Sequence, residues 1–415
     1  MNKSTSSLKR LLTIIVFDHT SLNMTFPILT LVFFDASSAL FSPETSYAVR
    51  SLWYGLCIAI PHIVIIFAAP VLSSLSDYYG RHTILAVGTL GAFMFAITAG
   101  LGVFFGLLGF LIAGRVIQGL FSKTNPTAQA VIGDIAPPNK KILYMGYLQF
   151  SISVGACLGP IVGGYFAHRF LFSTFNFSLP YFIAAFFALI SFLLTLFYFK
   201  ETLPYQKKQR EHRLSPSSIL AVLKKKGVIH ISLLLFLSQI SWSLYYQFMP
   251  PVLKTQFHFS ASQIGLFVGM IALWLALSTG ICLKFATRYF SQRRLMLLSI
   301  FLVLIGLVLT IVAGLLSTTV NSLFWLAAIP TAVGDVIAYS CITALYSQSV
   351  APNEQGKVMG LCFIIVSVAW AGTGLIGGVL TSISALLPIL IAPVGVLLIL
   401  LLQWLRPAKG SLIGV

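Results

Sequence analysis

Apolar residues fill this chain in runs of bilayer length, roughly 17 to 25 residues, broken by short polar punctuation. The pattern predicts twelve membrane-spanning helices at about 11–34, 50–72, 83–101, 106–132, 142–166, 179–199, 229–252, 261–284, 295–315, 320–347, 357–380 and 384–404. The expected fold class is therefore an all-α polytopic membrane protein. The first run follows Lys9 and Arg10, is long, carries Asp18 and has no clear small-residue cleavage site. It reads as an uncleaved helix rather than a signal peptide.

Composition points the same way. Apolar residues make up 58% of the 415 and charged residues only 8%, against about 25% charged in soluble domains. One aqueous core cannot bury that much apolar surface. The net charge of +17 raises nucleic acid as a partner, but the placement of the charge removes the need for one. With the N-terminus inside, 21 Lys and Arg fall on the inner side and three, Arg50, Arg169 and Lys254, on the outer. Arg115 and Lys123 remain in the membrane. This is the positive-inside bias at short loops, and it predicts that both termini are cytoplasmic.

The longest polar stretch splits the spans six and six. The expected organisation is an N-terminal bundle over 1–200, a cytoplasmic linker over 201–228 and a C-terminal bundle over 229–415. An internal repeat supports two equivalent halves. Pro138-Asn139, Met145-Gly146 and Gly163-Gly164 recur 214 positions later as Pro352-Asn353, Met359-Gly360 and Gly377-Gly378. Six spans separate the copies, so they share one orientation, as in parallel-repeat transporters. The five cysteines are scattered without a close pair, giving no disulfide or metal site.

Gly155, Gly159, Gly163 and Gly164 strip one helix face of side chains, and Pro160 between them removes an internal hydrogen bond. In a transporter such a face is a close-packed seam about which two halves rock.

Several of these words together resemble the major facilitator superfamily, within its twelve-helix drug:proton antiporters and especially the tetracycline-resistance-like branch. Ser73-Ser-Leu-Ser-Asp77-Tyr-Tyr-Gly80-Arg81-His82 resembles the first cytoplasmic loop of that family. Gly114-Arg115-Val-Ile-Gln118-Gly119 resembles its fourth-helix arginine motif, and Gly155 through Gly164 its glycine-proline motif. Glu201-Thr-Leu-Pro204, Asp134-Ile-Ala-Pro137 and Ala351-Pro-Asn-Glu354-Gln-Gly356 resemble further loops of the branch. The resemblance implies two six-helix bundles related by pseudo-two-fold symmetry. It also makes Asp77 a gating latch, holding the outward-facing state by bonds near the start of the eleventh helix, with Arg81 pairing inside the loop. Ser73, Tyr78 and His82 depart from the family pattern. The equivalent loop of the second half, Arg288 to Arg294, has no acid matching Asp77. Asp134 reads as a gating or capping residue, and Glu201 as an interface residue.

Charges within the membrane carry the expected chemistry. A carboxylate in the first span is costly against lipid, so Asp18 faces the bundle interior. The resemblance places a proton-coupling acid there; His19, adjacent on the helix, reads as a relay, and Asn23 as a cavity residue further along it. Arg115 is implied to line the cavity and tune Asp18. Gln118 either contacts substrate or makes an interhelical bond. Lys123 either faces the cavity, favouring an anionic or zwitterionic solute, or snorkels or pairs with Asp335. Asp335 is a second membrane acid, which binds substrate, carries a proton or neutralises Lys123. Gln239, Tyr245 and Tyr246 form a contact set on the seventh span, although Trp and Tyr also anchor helices at headgroup depth.

The chain is thus expected to be a proton-coupled secondary transporter of the bacterial inner membrane, exporting a small amphiphilic drug-like or metabolite solute. A proton-linked metabolite or siderophore transporter of either direction is the alternative. A non-transporting scaffold fits the intramembrane charges poorly. No nucleophile–base set and no phosphate loop speak for an enzyme or for ATP drive. The expected partners are a small-molecule solute, protons and lipids, with no cofactor and a monomeric state.

Overall fold

Inside a bilayer the backbone must satisfy its own N–H and C=O groups, so each apolar run closes into a helix. The computed structural model describes residues 3–121, 124–137, 140–167, 173–203, 221–225, 227–316, 321–350 and 355–405. The helices are α1 (Lys3–Phe34), α2 (Tyr47–Tyr79), α3 (Arg81–Phe105), α4 (Leu108–Phe121), α5 (Thr124–Ile135), α6 (Lys141–Phe166) and α7 (Leu179–Tyr198). They continue as α8 (Val228–Thr255), α9 (Ala261–Leu277), α10 (Leu283–Tyr289), α11 (Gln292–Leu315), α12 (Asn321–Gln348), α13 (Gln355–Ile383) and α14 (Leu387–Trp404). Among the described residues, eleven helices are long and apolar enough to cross a membrane. In one of them α9 and α10 join through a π-helical turn at Ser278–Cys282. The fourth predicted run is occupied by α4 and α5, which flank positions 122 and 123.

The helices overrun the apolar runs at their polar ends. α2 continues two turns past 72, and α3 begins at Arg81. The polar segment expected as a loop between them is helical except at Gly80. Hydropathy sees only the part of a helix inside the hydrocarbon, whereas the backbone ladder continues until something stops it. Here the stop is Gly80, with φ 106° and ψ 161°, a conformation that side chains disfavour.

The chain forms two compact units. The first comprises Met1–Arg50, Ile60–Arg213 and Phe259–Leu273. The second comprises Ser51–Ala59, Leu214–His258 and Trp274–Val415. Within the first, α1 packs on α6 and α7, and α3 on α4 and α7. Within the second, α8 packs on α13 and α14, and α11 on α12.

Glycines set these contacts. A Cβ on Gly155 would lie 2.7 Å from the His19 Cβ and 2.8 Å from the Thr20 nitrogen. One on Gly159 would lie 2.6 Å from the Thr20 carbonyl oxygen, and one on Gly163 2.4 Å from that of Met24. Three of the four seam glycines therefore seat α6 directly on the backbone of α1. The fourth, Gly164, meets Ala261 and Gly265 of α9, with a notional Cβ 3.0 Å from the Gly265 Cα. The repeated pair behaves alike in the second unit. Gly377 lies against Phe248 of α8, and Gly378 meets Gly55 of α2 at 2.9 Å. Each copy thus uses its first glycine against the first helix of its half and its second glycine against a second or eighth span.

Replacing Gly159 by Val drives a side chain into backbone that cannot rotate away. We expect a loss of about 1–3 kcal/mol, read as a lower thermal unfolding midpoint in detergent. Gly133→Ala, where a Cβ meets nothing within 4 Å, serves as the control and leaves the midpoint unchanged or slightly raised.

Candidate functional site

The polar centre of the first unit is built where α1, α3, α4 and α5 approach. An apolar cluster of Leu8, Leu11, Ile14 and Ile15 with Leu85, Ala128, Val131, Ile132 and Tyr144 fills one end of the bundle. One turn beyond it on α1 stands Asp18, and one turn before Ala128 on α5 stands Thr124. Asp18 is fully buried, and its Oδ2 accepts a hydrogen bond of 2.7 Å from the Thr124 hydroxyl. Its Oδ1 is buried with no partner among the described residues. Gly88 of α3 makes room for Thr124, as a Cβ there would meet its methyl at 2.9 Å. A cavity of about 10 Å³, the lower limit for one water, lies between Asp18, Gln118, Gly88, Phe121 and Thr124.

Arg115 is delivered by its flanking glycines. Gly114 allows the backbone of α3 to approach at Ala99, where a Cβ would lie 3.0 Å from the nitrogen. Gly119 lets α2 approach, with the Pro61 carbonyl oxygen 2.7 Å from a notional Cβ. α4 is thereby wedged between two helices, and Arg115 is buried between them. Its Nη1 donates to Gln118 Oε1 at 2.9 Å, and its guanidinium lies 5.6 Å from the centre of the Phe95 ring. Its Nε and Nη2 are buried without a partner among the described residues. His62 of α2 lies within electrostatic reach of Arg115.

A second buried arginine shows what a purely structural guanidinium looks like here. Arg50 donates from Nε to Thr45 O, from Nη2 to Ser42 O and from Nη1 to Phe33 O, and lies 5.6 Å from the Phe41 ring centre. All three of its nitrogens are engaged, whereas Arg115 engages one of three. Unmatched buried donors are costly, which sets Arg115 apart from Arg50.

Other expected site residues fall as follows. His19 is half-buried with Nε2 lacking a partner among the described residues, and its backbone carbonyl accepts from Asn23 Nδ2 at 2.8 Å. Lys123 lies outside the described residues, as does the Asp77 side chain. In the second unit Asp335 is buried on α12, next to Gly334, which presses α12 against Ser299 and Val303 of α11. Gln239 accepts 3.0 Å from Trp370 Nε1, and Tyr246 lies between Trp242 at 5.6 Å and Trp370 at 6.0 Å. Tyr245 is fully buried and directed towards Thr310 and Thr331. The structure thus brings Asp18 and Gln118 to one cavity, with Arg115 bonded to Gln118, and gathers Gln239 and Tyr246 around Trp370.

At the basic end of the first unit, Arg81 pairs with Asp134 (Nε–Oδ2 3.2 Å) and donates from Nη1 to Ser76 Oγ at 2.8 Å. Glu201 Oε1 accepts from the backbone nitrogens of Arg81 at 3.0 Å and of Thr202 and Leu203 at 2.8 Å, while Oε2 accepts from His82 at 3.3 Å. A residue beyond α7 therefore caps α3. Thr124, His62, Phe95 and the Glu201 cap were not anticipated from the sequence. Threonines inside a span are common, and no local pattern pairs positions so far apart. A half-polar stretch after Phe121 was the one available hint for Thr124.

A polytopic helical protein with paired bundles, glycine-seated helices and a half-satisfied acid and arginine in its interior is a membrane transporter rather than an enzyme. The model of the Major Facilitator Superfamily matches residues 11–235 and 231–413, and the chain belongs to that superfamily as an all-α, twelve-helix secondary transporter. It is 25% identical over 392 residues to the tetracycline resistance protein, class H, of Pasteurella multocida, covering 92% of this chain and 88% of that protein. Its fold matches the crystal structure of the human organic anion transporter MFSD10 (TETRAN) with a TM-score of 0.69 at 17% identity, covering 97% and 100% of the two chains. It matches a D-xylose-proton symporter with a TM-score of 0.73 at 14% identity, covering 98% and 99%.

Removing the Glu201 carboxylate by Glu201→Ala frees four backbone donors. We expect a cost of about 1 kcal/mol, seen as a lower unfolding midpoint, with Glu201→Gln losing less.

Proposed function

We propose that the chain exports a small amphiphilic drug-like or metabolite solute from the bacterial cytoplasm in exchange for protons, by alternating access. The observation that carries this reading is Asp18, an acid enclosed in the membrane with one oxygen held by Thr124 and the other without a partner among the described residues. A carboxyl so placed, with one oxygen free of any partner among the described residues, can bind or release one proton when the cavity opens. The likeness over 92% of the chain to a tetracycline resistance protein supports export, and the bacterial relatives support an inner-membrane location.

In this mechanism Asp18 takes a proton from the outer side as solute leaves, and the protonated carrier returns inward. Proton release then permits solute capture. Coupling requires proton and solute to bias the two states differently. Arg115 and Asp335 are assigned to coupling; His19, Asn23, Gln118, Lys123, Gln239, Tyr245 and Tyr246 are assigned to the cavity. Gating falls to Asp77, Gly80, Arg81, Asp134, Gly155, Gly159, Pro160, Gly163 and Gly164. The moving parts are the bundles 1–200 and 229–415 joined by the linker 201–228, with both termini cytoplasmic and one chain sufficient. The Arg81–Asp134 pair, which ties α3 to α5 at the basic end of the first unit, supports assigning these two residues to that end.

A second reading rests on Arg115. Its two unengaged, buried guanidinium nitrogens suit an anionic group on the solute, which favours an amphiphilic anion or zwitterion over a lipophilic cation.

Inside-out vesicles energised with a proton gradient test both. Tetracyclines, lipophilic cations, amphiphilic anions and siderophores are added in turn. Solute-triggered proton release from wild type should fall to background in Asp18→Asn, which keeps the shape of the site. Solute accumulation that survives collapse of the gradient would sink the proton-driven mechanism. Arg115→Lys should retain part of any response to anions and Arg115→Leu none, with responses to cations less affected.

A further inference from the structure

The second unit carries a cavity of about 330 Å³ lined by none of the residues assigned to transport. It opens where α10 stands away from its bundle. The π-helical turn at Ser278–Cys282 inserts an extra residue into the helix register, and a Cβ on Gly280 would meet nothing within 4 Å. Beyond this turn none of the residues of α10 is buried. The wedge left behind is lined by Leu283, Thr287 and Phe290 on one side, and by Leu295, Cys341 and Ala344 of α11 and α12 on the other.

The polar groups of this wall are already occupied. Thr287 Oγ1 donates to Lys284 O at 3.2 Å, and Ser340 Oγ donates to Val336 O at 2.7 Å. Gln292 donates to Cys341 O at 3.0 Å and accepts from Gln348 at 3.2 Å. What the wall offers to an occupant is therefore an apolar surface. The rim is the opposite. Lys284, Arg288, Arg293 and Arg294 are all exposed, and each adjoins a lining residue in sequence. Among the described residues none of the four has an acid within 4 Å, and Arg288 is steadied over the Phe285 ring at 5.9 Å. An apolar wedge rimmed by four exposed cations, none with an acid within 4 Å among the described residues, suits an amphiphile with an acyl chain and an anionic headgroup.

We propose that this wedge is a binding site for an anionic phospholipid, with one acyl chain lying between α10 and α12 and the phosphate held by Arg288, Arg293 and Arg294. The acyl chain gains dispersion contacts along Leu283, Phe290, Leu295 and Ala344, and because it is already out of water in the bilayer its preference for the wedge comes from that packing and from the headgroup. Guanidinium groups supply the forked donors that phosphate oxygens accept. The occupant is a membrane component rather than cargo, so the site stands independently of the solute and the direction of transport.

The test uses the full chain reconstituted in nanodiscs with a phosphatidylglycerol carrying a photoactivatable group on its acyl chain. After illumination, the labelled peptides are mapped by mass spectrometry. Labelling should fall on 283–295 and 340–344, and excess unlabelled phosphatidylglycerol should suppress it while phosphatidylcholine does not. Arg288→Gln/Arg293→Gln/Arg294→Gln, a surface variant that leaves the bundle packing intact, should lower the preference for the anionic lipid by about tenfold or more. Ala344→Trp, which fills the wedge, should abolish labelling there while the triple variant still folds. Equal suppression by phosphatidylcholine, or undiminished labelling in Ala344→Trp, would overturn the proposal, as would suppression by transported solutes alone. Failure of the vesicle transport assay would leave these outcomes untouched.

Discussion

Helix backbones touching across glycine are the constraint on which the rest of this structure depends. Lipid tails are as apolar as leucine, so little hydrophobic force draws these helices together, and association must come from close packing and interhelical bonds. α6 meets α1 at Gly155, Gly159 and Gly163, along the turn that carries Asp18 and His19. α4 is admitted between α2 and α3 by Gly114 and Gly119, and that wedge buries Arg115. Had any of these faces carried ordinary side chains, the helices would stand farther apart and the acid and arginine would sit in wider, wetter space.

Two kinds of buried charge follow. Arg50 is saturated by backbone carbonyls, and its role ends in the structure. Asp18 and Arg115 are each only partly engaged. Arg50 and Arg115 are both buried in the same unit, so the contrast between them is one of bonding rather than of burial. Partial engagement of a buried charge costs stability, which is why Asp18 and Arg115 carry the proposed coupling.

The fold was largely legible because a bilayer imposes its length on sequence: among the described residues eleven of the twelve runs hold a helix long and apolar enough to span it, and α4 and α5 occupy the remaining run. The repeat gained meaning in three dimensions, since Gly163 and Gly377 take equivalent places against α1 and α8. Asp18 and Arg115 were legible because an ionisable residue inside an apolar run has few acceptable explanations. Thr124 and Glu201 were not, because their importance lies in which distant backbone or side chain they reach. The segment around Gly80 was misread as a loop for a related reason: hydropathy ends where the hydrocarbon ends, but helical hydrogen bonding does not. The π turn ahead of α10 likewise has no compositional signal, yet it decides where that helix leaves its bundle.

The cap on α3 has a consequence for how the protein is made. The carboxylate that completes the first turn of α3 belongs to a residue 120 positions later in the chain. While the ribosome is still producing α4 to α7, the amides of Arg81 and His82 have only water or lipid headgroups to bond. The closing stitch of this end is therefore added last, after α7 has crossed the membrane. A chain halted before residue 201 holds its earlier spans but leaves that end of the bundle unlocked.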